Sequence, residues 1–433
     1  MAKRESGDYV HHLPNAARPT VLPQFTWVEA VWMTIVSVSY LLGWCIGVSV
    51  LVETFTEEEP PDDQGSYVFY FLLPHIAAGL KNLQYHYRET KNDENERGPM
   101  GWLMVTLFFP ISPIYRIFRA WKFGLAEKDD WENGARYVDE MVTVGVLRLF
   151  DVFLGDLPML SLLVRDDVLA RAKDWSDMFL HPYSHQTPCR GLCEPVAPPV
   201  EAWKIIRMVI LLSKMAQGVT LYIVMVKRLH RLQHPNRYNR LRSKTYRQGR
   251  LNIFATLLLY FAHFFFIGSR VLGYSMIIRA FKSWVYLVVG LRWLVHTTWH
   301  LFGLLASRTI TPARSISSFT MGGVWLIALT NEDGGKQLGR FILYYSIAAV
   351  ETLICVFLWN GEMKGSGDYF SYRASWAAGI ALVTGVLLHA TYYALLHPGT
   401  PSVSIEGLRC CHGTTHRDSD ESDTEDRKEN TPE

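Results

Sequence analysis

Seven ionisable side chains stand in stretches of sequence too apolar to hydrate them. Residues 141–164, MVTVGVLRLFDVFLGDLPMLSLLV, carry Arg148, Asp151 and Asp156 among Leu, Val and Phe, and four further apolar stretches carry Lys214, Arg270, Arg292 and Glu351. A charge at the centre of a bilayer costs on the order of 3 kcal/mol by insertion scales, so such groups face protein or water. Arg148 and Asp151 are three apart on one helical face, which predicts a local pair. Asp156 is expected to point elsewhere and to need another partner. Three acids against four bases is a near-balanced set, and it has two readings: an ion-pair network that fixes helix packing, or a polar stripe along a groove through which something charged passes.

Other chemistry is thinly represented. His296 and His300 in HTTWH are four apart, a spacing metal sites use, but no Cys, Asp or third His accompanies them, so packing is the expected role and no metal is expected. No Gly-rich phosphate loop ends in Gly-Lys-Ser or Gly-Lys-Thr, and no nucleophile-plus-base constellation stands out. The expectation is a protein without a cofactor and without covalent chemistry, not an enzyme, and anything it moves moves downhill.

The elements that must position these charges are membrane helices. The chain has 433 residues, a net charge of +2 and 19% charged residues, and its mean hydropathy of +0.06 averages two populations, apolar segments and charged loops. Ala30–Val52, Leu251–Ser269 and Ala374–Pro398 run without an Asp, Glu, Lys or Arg, each long enough to cross about 30 Å of hydrocarbon as a helix. Ten apolar segments follow in order: 27–53, 67–87, 99–116, 141–165, 203–226, 251–279, 283–306, 315–331, 338–360 and 373–397. The third holds Pro110 and Pro113, which remove backbone donors, and the eighth holds Gly322 and Gly323 at its centre. Both read as re-entrant hairpins shielded by other helices. The fold expected is therefore an all-α polytopic membrane protein of about eight transmembrane helices plus two half-inserted segments, with a possible internal repeat starting at the sixth.

Loop charge orients the spans. Residues 227–250 hold nine Lys or Arg and no acid, and residues 53–66 hold six acids and no base, which places the first loop in the cytoplasm, the second outside and both termini inside. Basic residues gathered in one loop argue against nucleic-acid binding as the main role. The first 24 residues are polar, so the first apolar run is a retained span rather than a signal peptide. The domains expected are a cytosolic segment 1–24, a transmembrane domain 25–400 and a disordered acidic tail 401–433. Cys189 and Cys193 fall in an outside loop, where they can oxidise together, pair elsewhere or stay free. Cys410 and Cys411 sit where juxtamembrane palmitoylation occurs, or are inert thiols.

These residues resemble the XK-related family of membrane proteins. LRLFDVFLGDLPML is similar to that family's charged, Phe-containing helix, SRVLGYSMIIRAFKSWV to its Arg-Val helix and following Trp-Val entry, LYYSIAAVETLICVFLW to its helix bearing one central Glu, and TYYALLHPG to its Tyr-Tyr to His-Pro exit. The matches run in order over roughly residues 100–400. The resemblance implies eight spans and two partly inserted segments. It also implies phospholipids as partners, since several members are phospholipid scramblases that expose phosphatidylserine on apoptotic cells after caspase cleavage of a tail. Other members have no such demonstrated role, and XK itself is associated with a bridge-like lipid-transfer protein.

Carried over by residue, Arg148, Asp151, Arg270 and Glu351 match charged positions of the family core, and Arg116 in PIYRIF matches an Arg after the third segment. Where scrambling members carry two acids four apart in the first span, this chain has Gly43 and Gly47; where they carry a second Glu in segment four, it has Gly155, with Asp156 one place on. The groove is either rebuilt around Asp156 or less polar here. Asp423 ends the tetrapeptide DESD, a site of the kind caspases accept, and Asp8 ends a second candidate, ESGD. The expected function is energy-independent phospholipid movement at the plasma membrane, as a homo-oligomer or with a single-pass partner. The alternative is a membrane anchor whose loops 123–140 and 227–250 recruit a lipid-transfer or signalling protein, and a solute channel ranks third.

Overall fold

The computed structural model describes residues 25–56, 64–92, 99–108, 111–126, 131–169, 202–233, 253–281, 284–306, 315, 318–319, 322–323, 325–326, 338–362 and 369–396. These residues are helical, with no strand among them. In chain order they form α1 (Trp27–Thr56), α2 (Gln64–Asn92), α3 (Pro99–Leu107), α4 (Ser112–Ala126), α5 (Trp131–Phe150), α6 (Leu157–Leu163), α7 (Ala202–Gln233), α8 (Ile253–Phe281), α9 (Trp284–Ala306), α10 (Leu338–Glu362) and α11 (Tyr369–Thr391). Short π-helical stretches cover Asp151–Asp156, Val164–Leu169 and Tyr392–Leu396.

Among the described residues five helices, α1, α7, α8, α10 and α11, are long and apolar enough to cross a membrane. α2 is as long but ends in the polar run KNLQYHYRETKN, and α5 and α9 interrupt their apolar faces with charge or histidine. The count of eight spans and the repeat rest on the sequence alone. The third segment is two helices, with residues 108–111 between α3 and α4, where Pro110 falls. Asp8, Cys189, Cys193, Cys410, Cys411, Asp423 and most of the basic loop lie outside the described residues.

The bundle exposes apolar stripes of a kind a water-soluble protein buries. On α1 the stripe Val31, Ile35, Val38 and Leu42 is exposed, and on α10 Phe357 is 77% exposed. Such stripes would be an aggregation liability in water and are the natural face of a helix in lipid. Inside, α7 and α8 lie side by side. α1, α5 and α6 pack on α7, α2 packs on α1, α5 and the Asp151–Asp156 stretch, and α10 and α11 pack on α8. Gly385 sets the closest approach of α8 and α11: a Cβ there would lie 2.7 Å from the backbone nitrogen of Phe266. α4 is amphipathic and buries Ile117, Ala120 and Phe123 against Met33, Val36, Tyr137, Met141 and Leu221 of α1, α5 and α7.

Polar side chains tie the bundle at both ends. At one end Glu29 of α1 accepts from the Thr26 backbone at 3.1 Å and pairs with Arg228 of α7 at 2.6 Å. At the other, Arg207 of α7 joins Asp167 at 2.7 Å and also Glu53 of α1, while Lys204 reaches Asp167 at 2.9 Å. At the α4–α5 corner, Arg116 and Arg119 of α4 face Glu89 of α2 and Glu140 of α5. Arg116 bonds Glu89 at 2.5 Å, Glu140 at 3.1 Å and Asn82 at 2.6 Å, and Arg119 bonds the same two acids at 2.6 and 2.9 Å.

Candidate functional site

The seven intramembrane charges fall into two clusters rather than one stripe. The first lies where α1, α2, the π stretch and α7 meet. Lys214 of α7 bonds Asp156 at 2.9 Å, and Asp156, Asp151, His75 and Lys214 share one small polar pocket of about 20 Å³. Gly43 stands against the Lys214 side chain and Gly47 against the Phe71 ring, so these glycines of α1 leave the room that the lysine and the phenylalanine fill. A Cβ at Gly155 would meet Pro74 at 2.7 Å and the Tyr70 carbonyl at 3.0 Å, so a Glu at that position has no space, and Asp156 is the acid that meets the lysine.

Two expectations about this helix are corrected. Arg148 and Asp151 do not pair. The Arg148 guanidinium, fully buried, donates instead to the carbonyls of Val36 at 3.4 Å and Lys214 at 3.2 Å and to Gln217 at 3.2 Å. Asp151 lies 3.9 Å from the His75 ring nitrogen, and neither carboxylate oxygen has a hydrogen-bond partner among the described residues. Nor does Asp156 point away from Asp151. In an α-helix with 3.6 residues per turn, residues five apart diverge; the i→i+5 winding of Asp151–Asp156 brings both carboxylates to the same pocket. Nothing in residue spacing signals a π turn, which is why the sequence misdirects here.

The second cluster joins α8, α9 and α10. Arg270 donates to Glu351 at 2.5 Å, to the Ala348 carbonyl at 3.1 Å and to the Tyr274 hydroxyl at 2.6 Å. Arg292 also pairs with Glu351, and its Nε donates to His296 at 3.3 Å. His296 therefore serves a polar contact within α9. The described residues contain no group of three or more His, Cys, Asp or Glu able to hold a metal.

Between the clusters lies a cavity of about 970 Å³. Its walls are apolar, drawn from α2 (Phe69, Leu73), the π stretch and α6 (Phe153, Leu157), α8 (Ile278) and α9 (Val289, Trp293). Two tyrosines separate it from charge. Tyr70 lines both the cavity and the small polar pocket, and Tyr274 lines the cavity while bonding Arg270 behind it. The eighth segment seals one flank: the Phe319 carbonyl accepts from the Trp293 indole at 3.0 Å, Gly322 stands against Thr297, and Gly323 against the Phe153 ring. Phe150 of the cavity lining packs with Ala78 and Leu147 in a buried apolar cluster. Sequence reasoning missed His75, Tyr70 and Tyr274, since a tyrosine or histidine in an apolar run gives no sign of what lies behind it.

Residues 201–398, which include α7 to α11 and the second cluster, match the family model described as XK-related protein. That part of the chain is similar to XK-related proteins. The chain is a multi-pass membrane protein, and its XK-related region supplies one side of the cavity through α8 and α9.

Proposed function

We propose that this chain moves phospholipids between leaflets without an energy source. One observation carries the reading: a large apolar cavity inside a membrane bundle, with charged clusters one side chain behind its wall on either side. Its size and lining suit a lipid-like ligand. Flip-flop is slow because the headgroup must shed water in hydrocarbon without compensation. Acyl chains in the cavity, with a headgroup drawn toward the two clusters, lower that cost. In this reading the cluster of Ala78, Leu147 and Phe150 beside the cavity is the closed barrier. Cleavage after Asp423, or after Asp8, is the proposed release, and the plasma membrane the proposed site of action.

Purified protein in liposomes containing a fluorescent phospholipid tests this. Accelerated loss of leaflet asymmetry after treatment with an executioner caspase supports it; rates equal to empty liposomes before and after treatment reject it. The second reading, a membrane anchor, has its own support, because Arg148 and Arg270 are buried and bonded to main-chain carbonyls as a packing network would be. Inert liposomes together with a stoichiometric cytosolic partner on the native protein would favour the anchor.

A further inference from the structure

The two clusters differ in net charge. Arg148 and Lys214 are matched by Asp151 and Asp156, whereas Arg270 and Arg292 share the single acid Glu351, so among the described residues the second cluster keeps one positive charge. It also keeps unused donors. Arg270 Nε and the Tyr344 hydroxyl are buried without a hydrogen-bond partner among the described residues, and Tyr344 is near enough to both arginines to feel their charge. A buried uncompensated cation is costly, and it is relieved by an anion. Tyr274 lines the apolar cavity and touches this charge. Its ring lies 4.9 Å from the Arg270 guanidinium, and its hydroxyl accepts from Arg270 and donates to the Leu326 carbonyl at 3.4 Å.

We propose that Arg270, Arg292 and Glu351 form an anion subsite for a phosphate group, reached from the cavity when Tyr274 swings aside. One excess positive charge matches one phosphodiester. The guanidinium fork suits phosphate oxygens, and such charge-assisted bonds are about twice as strong as neutral ones. The phosphate oxygens replace the tyrosine hydroxyl on Arg270 and take up the idle donors. The first cluster, neutral overall and with the Asp151 oxygens unpartnered, offers an anion no such gain. The inference rests on the lipid reading of the cavity.

Two lipids of identical acyl chains test it on the full-length protein in detergent by native mass spectrometry: phosphatidylmethanol, which carries one phosphodiester and no amine, and diacylglycerol, which carries neither. Phosphatidylmethanol is expected to bind roughly tenfold more tightly. Arg292→Gln removes the preference and spares diacylglycerol binding, Arg292→Lys retains it, and Tyr274→Phe, which frees an Arg270 donor, raises it. Equal binding of the two lipids to the unaltered protein overturns the subsite, as does a preference that survives Arg292→Gln. If Arg292→Gln does not fold, a preference lost in both Arg292→Lys and Tyr274→Phe overturns it. Inorganic phosphate separates the sources: should it alone protect the protein from heat and displace phosphatidylmethanol at millimolar concentration, the subsite stands for soluble phosphate and its lipid assignment falls. Failure here alongside active liposomes removes the subsite and leaves the transport reading intact. A measured preference with inert liposomes does the reverse.

Discussion

Lys214 shows what a buried charge inside this bundle requires. Its ammonium meets Asp156 at 2.9 Å, its stem fills the space that Gly43 leaves, and the pair sits beside an aspartate, Asp151, whose oxygens go unpartnered among the described residues. Removing one member of a buried pair strands the other charge, which costs about 3–5 kcal/mol, whereas replacing both with apolar residues of similar volume is close to neutral. Lys214→Met is therefore expected to lower thermal stability strongly in detergent, and the double variant Lys214→Met, Asp156→Leu to recover most of it. Equal melting temperatures for the single and double variants would show that the pair does not act as a unit. Gly43→Asp, which offers the lysine a second acid, must displace its stem and is expected to destabilise despite the added attraction.

At the scale of elements, what the sequence made legible depended on pattern length. The apolar runs of α1, α7, α8, α10 and α11 were readable because some twenty predominantly apolar residues have one economical structure in lipid. The break in the third segment was readable because proline removes a donor. The winding of Asp151–Asp156 was not, because a π turn is decided by what packs around it, here Gly155 against Pro74 and Lys214 across from both acids. The α4 corner was legible only as Arg116; its partners Glu89 and Glu140 come from helices far away in sequence. That corner titrates. Burial together with the nearby Glu140 and Glu89 pushes Asp139 up to about 7, while burial of Glu89 is outweighed by Arg116 and Arg119, which hold its carboxyl below the usual range. A carboxyl raised in the folded state stabilises most when protonated, and loses that contribution as pH rises through its folded value. Melting temperature is thus expected to fall as pH rises from 5 to 8, and Asp139→Asn to flatten the slope, while Glu89 stays ionised across the window. A slope unchanged in Asp139→Asn would place the titration elsewhere. Packing gives a second check: Gly385→Leu forces α11 off the Phe266 backbone, and overpacking of this kind costs about 1–3 kcal/mol or more, read as a lower melting temperature.

At the scale of the whole molecule, the cavity is where the halves of the chain meet: α2 and the π stretch form one wall, and α8 and α9, from the XK-related region, form the other. None of the seven charges is among the residues that line the cavity. A charge left in an apolar cavity would lack both water and partner, whereas in a packed cluster it finds carbonyls, an opposite charge or both. If lipid passes, it passes through apolar space and draws on those clusters only when Tyr70 or Tyr274 moves. Gly290 of α9 isolates the apolar part of that path, because it lines the cavity and a Cβ there meets nothing within 4 Å. Gly290→Phe starts a ring from a Cβ with open space around it at the cavity wall and exchanges a poor helix former for a better one, so stability is expected to hold or rise. Lipid movement in liposomes is expected to slow by roughly tenfold, equivalent to about 1.4 kcal/mol in the barrier. An unaltered rate in a folded Gly290→Phe protein would mean that lipid takes another route, and the cavity would then be a packing defect closed by bulk lipid rather than a path.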